Sequence, residues 1–287
     1  MENEKNKTNR NNIILVPTDF SEVCENATHH GADLARYLNF QLVMLHVVNK
    51  DTKEYLKKQD MTMDNLKEKL SELVNRFKAE YTIDADYLIK EGNIISLIGE
   101  TADEIGANLL ILGTHGKTGF QRLTGSYAVK VVTNVEIPTI IVQKRSFPNG
   151  YKNIVFPVTV STKDRQKVNW ATYMAKTFNS TIHIFPKYES DKFTKSKIMA
   201  IVKQIKAIFV QNNVGYVDRV SDDDGGNYAK QLIDYAVVNE ADLIMIMNNT
   251  DSLLPLFDTW AEQIIFNSSQ IPVIVINPVN VKNLSWH

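Results

Sequence analysis

GTHGKTGFQRLTGS, Gly113 to Ser126, places four glycines between two segments of different period. Before it stands Leu109-Leu110-Ile111-Leu112, an apolar run with the length and composition of a buried strand. After it, Ala128, Val131, Val132 and Val135 recur at helical spacing. A strand, a glycine-rich turn and a helix in that order form one unit of an α/β fold. They are also a physical means of holding a phosphate. Glycine lets the backbone approach a ligand closely, and N–H groups at a helix start point at the anion. The stretch points to a nucleotide site at the carboxyl end of a strand.

Working outward, the chain repeats itself. Asn12-Ile13-Ile14-Leu15-Val16-Pro17 returns as Asn153-Ile154-Val155-Phe156-Pro157, and Ile137-Pro138-Thr139-Ile140-Ile141-Val142 as Ile271-Pro272-Val273-Ile274-Val275-Ile276. Between these ends, Gly92-Asn93 matches Gly226-Asn227, and Ala107-Asn108-Leu109-Leu110-Ile111 matches Ala241-Asp242-Leu243-Ile244-Met245. Four matches in one order indicate a duplication, at an offset of about 140 residues that falls to about 134.

Each copy alternates strand and helix. Strands are expected near 12–17, 41–48, 83–90, 108–113 and 138–143, and again near 152–158, 180–186, 214–220, 242–247 and 272–277. Helices in the first copy are expected near 21–39, 52–80, 94–106 and 122–135. Val23, Ala27, Leu34, Ala35 and Leu38 give the first helix its period. Right-handed crossovers then build two tandem open, doubly wound, five-stranded parallel sheets. The expected division is a polar, mobile tail at 1–11, a first domain at 12–145, a linker around Pro148 and Gly150, and a second domain at 151–279.

Composition narrows the function classes. With 32 Lys plus Arg against 33 Asp plus Glu, no basic field attracts nucleic acid. A single cysteine, Cys24, rules out an intramolecular disulfide and a cysteine-based metal cluster. No apolar run approaches the roughly 18 residues of a membrane span. The polar start lacks the apolar core of a secretory signal, so a cytoplasmic protein is expected, with neither membrane nor nucleic acid as partner.

The Pro17-Thr18-Asp19-Phe20-Ser21 turn, the Leu45-His46-Val47 strand end and the glycine stretch together resemble the universal stress proteins of the UspA family, in both halves of the chain. The resemblance implies strand order 3-2-1-4-5, the adenine-nucleotide α-hydrolase-like fold, and ATP, with or without Mg²⁺, as ligand. ATP-binding members carry G-2x-G-9x-G-S/T. Gly113, Gly116, Gly125 and Ser126 match its fixed positions, with eight residues rather than nine between Gly116 and Gly125. Carried over, Pro17, Thr18 and Asp19 sit on the ribose or adenine side and the Val47 backbone flanks the base. Gly113 and Gly116 approach ribose and phosphates, and Gly125 and Ser126 hold the terminal phosphates. His115 lies in the same loop. That arrangement agrees with the placement of ligands at the carboxyl ends of parallel strands where the strand order reverses.

Plainer readings stand beside these. Asp19 with Glu22 fits a helix-capping box. Gly113 and Gly116 suit an ordinary turn, and Ser126 a helix start. Gly116-Lys117-Thr118 is no P-loop, because Ile111 stands where that motif needs glycine. His46 reads as a core or rim histidine, His29 and His30 as neighbours on different helix faces, and Cys24 as packing. No nucleophile–base pair and no metal site emerge from the residue pattern.

The second copy has changed every ligand-type position. Asp19 corresponds to Thr159, Gly113 to Met247, Gly116 to Thr250, Gly125 to Thr259 and Ser126 to Trp260. One nucleotide site per chain is expected, in the first half. The closing strands, Thr139–Val142 and Val273–Ile276, are apolar edges that invite pairing. The resemblance implies an intramolecular pseudo-dimer through them, and leaves a homodimer open. Three functions remain: a nucleotide-binding regulatory module in stress response, a weak ATP hydrolase or nucleotidyl-transfer enzyme of the same superfamily, or a scaffold that binds no nucleotide.

Overall fold

Apolar runs with no alternation fold as strands buried on both faces, and the computed structural model shows this in each half. It describes residues 10–114, 125–146, 150–221, 227–248 and 259–278. These divide into two units that part at Phe147 and Pro148. In the first unit the elements are β1 (Ile13–Pro17), α1 (Glu22–Leu38), β2 (Gln41–Val48), α2 (Lys50–Lys58), α3 (Met63–Tyr81), β3 (Ala85–Glu91), α4 (Ile94–Glu104), β4 (Leu109–Gly113), α5 (Gly125–Asn134) and β5 (Thr139–Val142). All its strand pairs are parallel, in the order 3-2-1-4-5. The order reverses between β1 and β4.

In the second unit, β6 (Asn153–Val158) leads through a 3-10 turn, Thr162–Gln166, to α6 (Lys167–Phe178) and β7 (Thr181–Pro186). It continues with α7 (Lys192–Gln211), β8 (Tyr216–Asp218), α8 (Tyr228–Val238), β9 (Leu243–Met247), α9 (Thr259–Ile265) and β10 (Val273–Ile276). The parallel order repeats as β8-β7-β6-β9-β10.

The matched segments have matched jobs. Asn108 accepts the Ile13 N–H at 3.1 Å, and Asp242 accepts those of Lys152 and Asn153 at 2.7 and 3.0 Å. Each side chain thus ties the first strand of its unit to the fourth. Asn93 and Asn227 cap α4 and α8 by accepting the Ile95 and Lys230 N–H groups. Asn39 and Asn179 end α1 and α6 in the left-handed region, at φ 55° and 53°.

Three details differ from the sequence expectation. The helix expected over 52–80 is two helices, because Asp60 turns left-handed at φ 51° and Thr62 starts a new capping box with Asn65. The strand expected over 214–220 shortens to Tyr216–Asp218. Arg10 and Asn11, grouped by sequence with the tail, bond the carbonyls of Ala107 and Ile105 at 3.1 and 2.9 Å.

Candidate functional site

At the carboxyl ends of β1 and β2 the first unit leaves a small cavity of about 30 Å³. Pro17, Thr18, Asp19, Leu45, His46, Val47, Asn49, Thr52 and Ile94 line it. Four of the residues expected from sequence, Pro17, Thr18, Asp19 and Val47, therefore meet in one place. The volume is too small to enclose a base.

The floor is built by local hydrogen bonds. Thr18 donates its N–H to the Leu45 carbonyl at 2.8 Å, locking the two strand ends together. The Thr18 carbonyl accepts from His46 Nδ1 at 2.8 Å, and the Thr18 hydroxyl oxygen accepts the Phe20 N–H at 3.2 Å. His46 also lies 5.1 Å from the Phe20 ring, centroid to centroid. It is thus a rim histidine with a structural bond, as its sequence position indicated.

Asp19 does not form the capping box. Its Oδ1 accepts the Ser21 N–H at 2.9 Å, while Phe20 turns left-handed at φ 65°. Ser21 is the residue that caps α1, with an extended backbone and no side-chain cap bond. The Asx-type turn satisfies Asp19 locally, three residues before Glu22 begins the helix. Burial pushes the Asp19 carboxyl up, but hydrogen bonds from Ser21 and Cys24 outweigh it and hold it below the usual carboxylate value. A charged acceptor therefore stands at the switch point. Burial, then the Asp19 charge, pushes the Cys24 thiol to about 12, which leaves it an unreactive packing group.

Gly113 ends β4 on the other side of the switch point. A Cβ placed there would meet the Val23 carbonyl oxygen at 2.4 Å and its carbon at 2.7 Å. Gly113 thus allows α1 to pass close over β4. Gly125 and Ser126 open α5, whose backbone begins there. His115 and Gly116 lie outside the described residues. The residues that sequence reasoning missed are Asn49, Thr52 and Ile94. Asn49 caps α2 by accepting the Thr52 N–H at 2.9 Å, and Thr52 Oγ1 donates to the Val47 carbonyl at 3.3 Å. Asn49 was visible as an N-cap candidate directly after an apolar strand.

The corresponding place in the second unit is filled by its own side chains. Thr159 keeps the turn, accepting the Ser161 N–H on its hydroxyl at 3.2 Å where Asp19 used a carboxylate. The 3-10 turn, which stands where α1 has its first turn, packs against β9 and α7 and carries Asp164 into the crevice. Asp164 Oδ2 accepts the N–H and hydroxyl of Thr159 at 2.7 and 2.9 Å. Lys167, only 1% exposed, pairs with Asp164 at 2.9 Å and donates to the Pro157 carbonyl at 2.6 Å. Burial pulls the Lys167 ammonium below the ordinary lysine value, against the pull of Asp164.

Aromatic groups complete the filling. Pro157 pairs with Phe185 as Pro17 pairs with Leu45, and Tyr228 follows its capping Asn as Ile94 does. Tyr228 donates to the Phe185 carbonyl at 2.8 Å and meets the Trp260 ring edge-on, with centroids 5.5 Å apart. Burial first and the Asp164 charge second hold the Tyr228 phenol well above its ordinary value, so it remains a neutral donor. Met247 ends β9, buried where Gly113 stands in the first unit. Thr250 lies outside the described residues, as does the side chain of Thr259.

Among the described residues no group of three or more metal-binding side chains occurs, and no helix is long and apolar enough to cross a membrane. The Universal stress protein family model matches residues 10–143. One universal stress protein of Methanocaldococcus jannaschii is 29% identical over 147 residues, covering 49% of this chain and 86% of the relative. A second from the same organism is 26% identical over 157 residues, covering 46% and 95%. The crystal structure of a universal stress protein from Archaeoglobus fulgidus DSM 4304 superposes over 94% of this chain and all of its own, with a TM-score of 0.76 at 17% identity. At that identity it shows the fold. Residues 10–143 belong to the universal stress protein family, and the second unit repeats the same parallel α/β sheet.

Proposed function

We propose that this protein is a nucleotide-responsive regulatory module of stress response, with one adenine-nucleotide cleft in its first half and none in its second. The observation that carries the reading is the contrast between the two switch points. In the first unit Asp19 is held ionised beside an open cavity, and Thr18, His46 and Val47 form its floor. In the second unit Asp164, Lys167 and Tyr228 occupy the same place. ATP is the proposed ligand. Its phosphates would extend toward the glycine stretch and the start of α5, whose N–H groups favour an anion. They would themselves bring Mg²⁺.

Pairing of the two halves through Thr139–Val142 and Val273–Ile276 belongs to the same proposal. Each is the last strand in the order of its own unit, short and β-branched, and an unpaired edge of that kind recruits a partner. The linker raises the effective concentration of one half for the other. A cytoplasmic setting fits the single, free cysteine.

Thermal denaturation with and without ATP-Mg tests the reading. Ligand at about 100 times its Kd adds about 2.7 kcal/mol to the stability of the unit that binds it, a rise of several degrees in its Tm. An unchanged Tm at millimolar ATP contradicts the proposal. Measuring ADP release over hours on the same sample distinguishes a binder from a slow hydrolase.

A further inference from the structure

A strained residue adjoins the cavity of the first unit. Phe20 turns left-handed at φ 65°, and among the described residues no other aromatic one does so. A bulky side chain enters that region only under constraint, and such constraint gathers at functional sites. Phe20 follows Thr18 and Asp19, which both line the cavity, and stands two residues before the start of α1 at Glu22. Its N–H bonds the Thr18 hydroxyl oxygen at 3.2 Å.

The second unit forms the neighbouring turn without this strain. Thr159 accepts the Ser161 N–H as Asp19 accepts that of Ser21, yet Val160, the counterpart of Phe20, has no positive φ. From this residue onward the two copies part. After Phe20 the chain enters α1 directly at Glu22, and the cavity stays open. After Val160 it enters the 3-10 turn over Thr162–Gln166, which delays α6 to Lys167 and delivers Asp164 and Lys167 into the crevice. The sign of φ at one position goes with an open crevice in one copy and a filled one in the other.

The Phe20 side chain holds the strained backbone in place. Lys69 Nζ stands 4.2 Å from the centre of its ring, and the His46 ring lies 5.1 Å away, centroid to centroid. The ring also packs on Val48, Leu56, Leu66 and Leu70, which come from β2, α2 and α3. Burial of the ring and its contact with the ammonium offset the unfavourable backbone. Val160 is 47% exposed, so its side chain has no comparable clamp.

We propose that Phe20 is a positioning residue for the nucleotide: its left-handed turn, clamped by the ring, sets where α1 begins, keeps the crevice clear and leaves Asp19 beside it. The inference rests on the nucleotide reading above. An ordinary backbone at residue 20 lets the first turn of α1 coil into the crevice, as its counterpart does in the second unit. The apparent affinity then falls with the fraction of chains that keep the left-handed turn.

Titration calorimetry of the intact chain with ATP-Mg tests this on four variants, with urea denaturation of each alongside. Phe20→Gly and Phe20→Asn remove the ring and admit the left-handed backbone, whereas Phe20→Ala and Phe20→Val remove the ring and disfavour that backbone. All four are expected to lower the denaturation midpoint of the first unit, because all four lose the ring packing. Affinity is expected to split them. The first two stay within about twofold of the unsubstituted chain, since such residues populate the left-handed region readily. The other two bind about tenfold more weakly, the effect of one disfavoured left-handed residue. The first and third differ by one methyl group, so that comparison stands even where the β-branched side chain of the fourth disturbs folding. Equal affinity in all four, or losses that follow the denaturation midpoint instead of the split, overturns the role of Phe20 and leaves the nucleotide reading standing. No ATP binding by the unsubstituted chain overturns both.

Discussion

A methyl group on residue 113 would stand 2.4 Å from the Val23 carbonyl oxygen, well inside any real Cβ contact. The obstacle is helix backbone, which has no side-chain rotamer to yield. Gly113→Ala is therefore expected to destabilise the first unit by about 2–3 kcal/mol, as overpacking against a fixed wall does. Urea denaturation measures it, and a loss under about 0.5 kcal/mol would mean that α1 does not press on β4. From sequence, this glycine was read as clearance for a nucleotide. Its neighbour across the switch point is ninety residues away in the chain, and no local pattern announces that contact. Asp19 shows the opposite case. Its role as an acceptor near the strand end was legible, but the choice of the Ser21 N–H over a helix cap depended on Phe20 turning left-handed. The bulk of Phe20 argues against that backbone region, so the turn was invisible beforehand.

Strands and helices were read with more success, because buried parallel strands announce themselves as apolar runs. The break between α2 and α3 was missed for a plain reason. Gln59-Asp60-Met61-Thr62 holds neither glycine nor proline, and the Thr62–Asn65 capping box departs from the usual Glu or Gln at its third position. The 3-10 turn that replaces the first turn of α1 in the second unit was also unread. It brings Asp164 and Lys167 together in a place closed to water. Removing one partner leaves the other charge buried and unpaired. Lys167→Met is thus expected to cost about 3–5 kcal/mol, with the added change Asp164→Asn recovering part of it. Tryptophan fluorescence during urea unfolding reports this through Trp170 and Trp260. A cost below about 1 kcal/mol would show that the pair is solvated and the second crevice open.

Across the chain, the duplication made the architecture legible, and the differences between copies carry the proposed function. Asn108 and Asp242, or Asn93 and Asn227, persist because each ties a strand or starts a helix that the sheet needs. Asp19 and Thr159 share a turn but not a charge. Sequence comparison alone placed Met247 and Trp260 where the first copy has Gly113 and Ser126. The structure adds a buried ion pair and Tyr228 in the second unit's crevice. The central claim is one nucleotide site per chain, in the first half. Native mass spectrometry of the intact protein titrated with ATP-Mg tests it most directly. The account predicts that binding saturates at one nucleotide per chain; saturation at two, or no bound nucleotide at millimolar ATP, would contradict it.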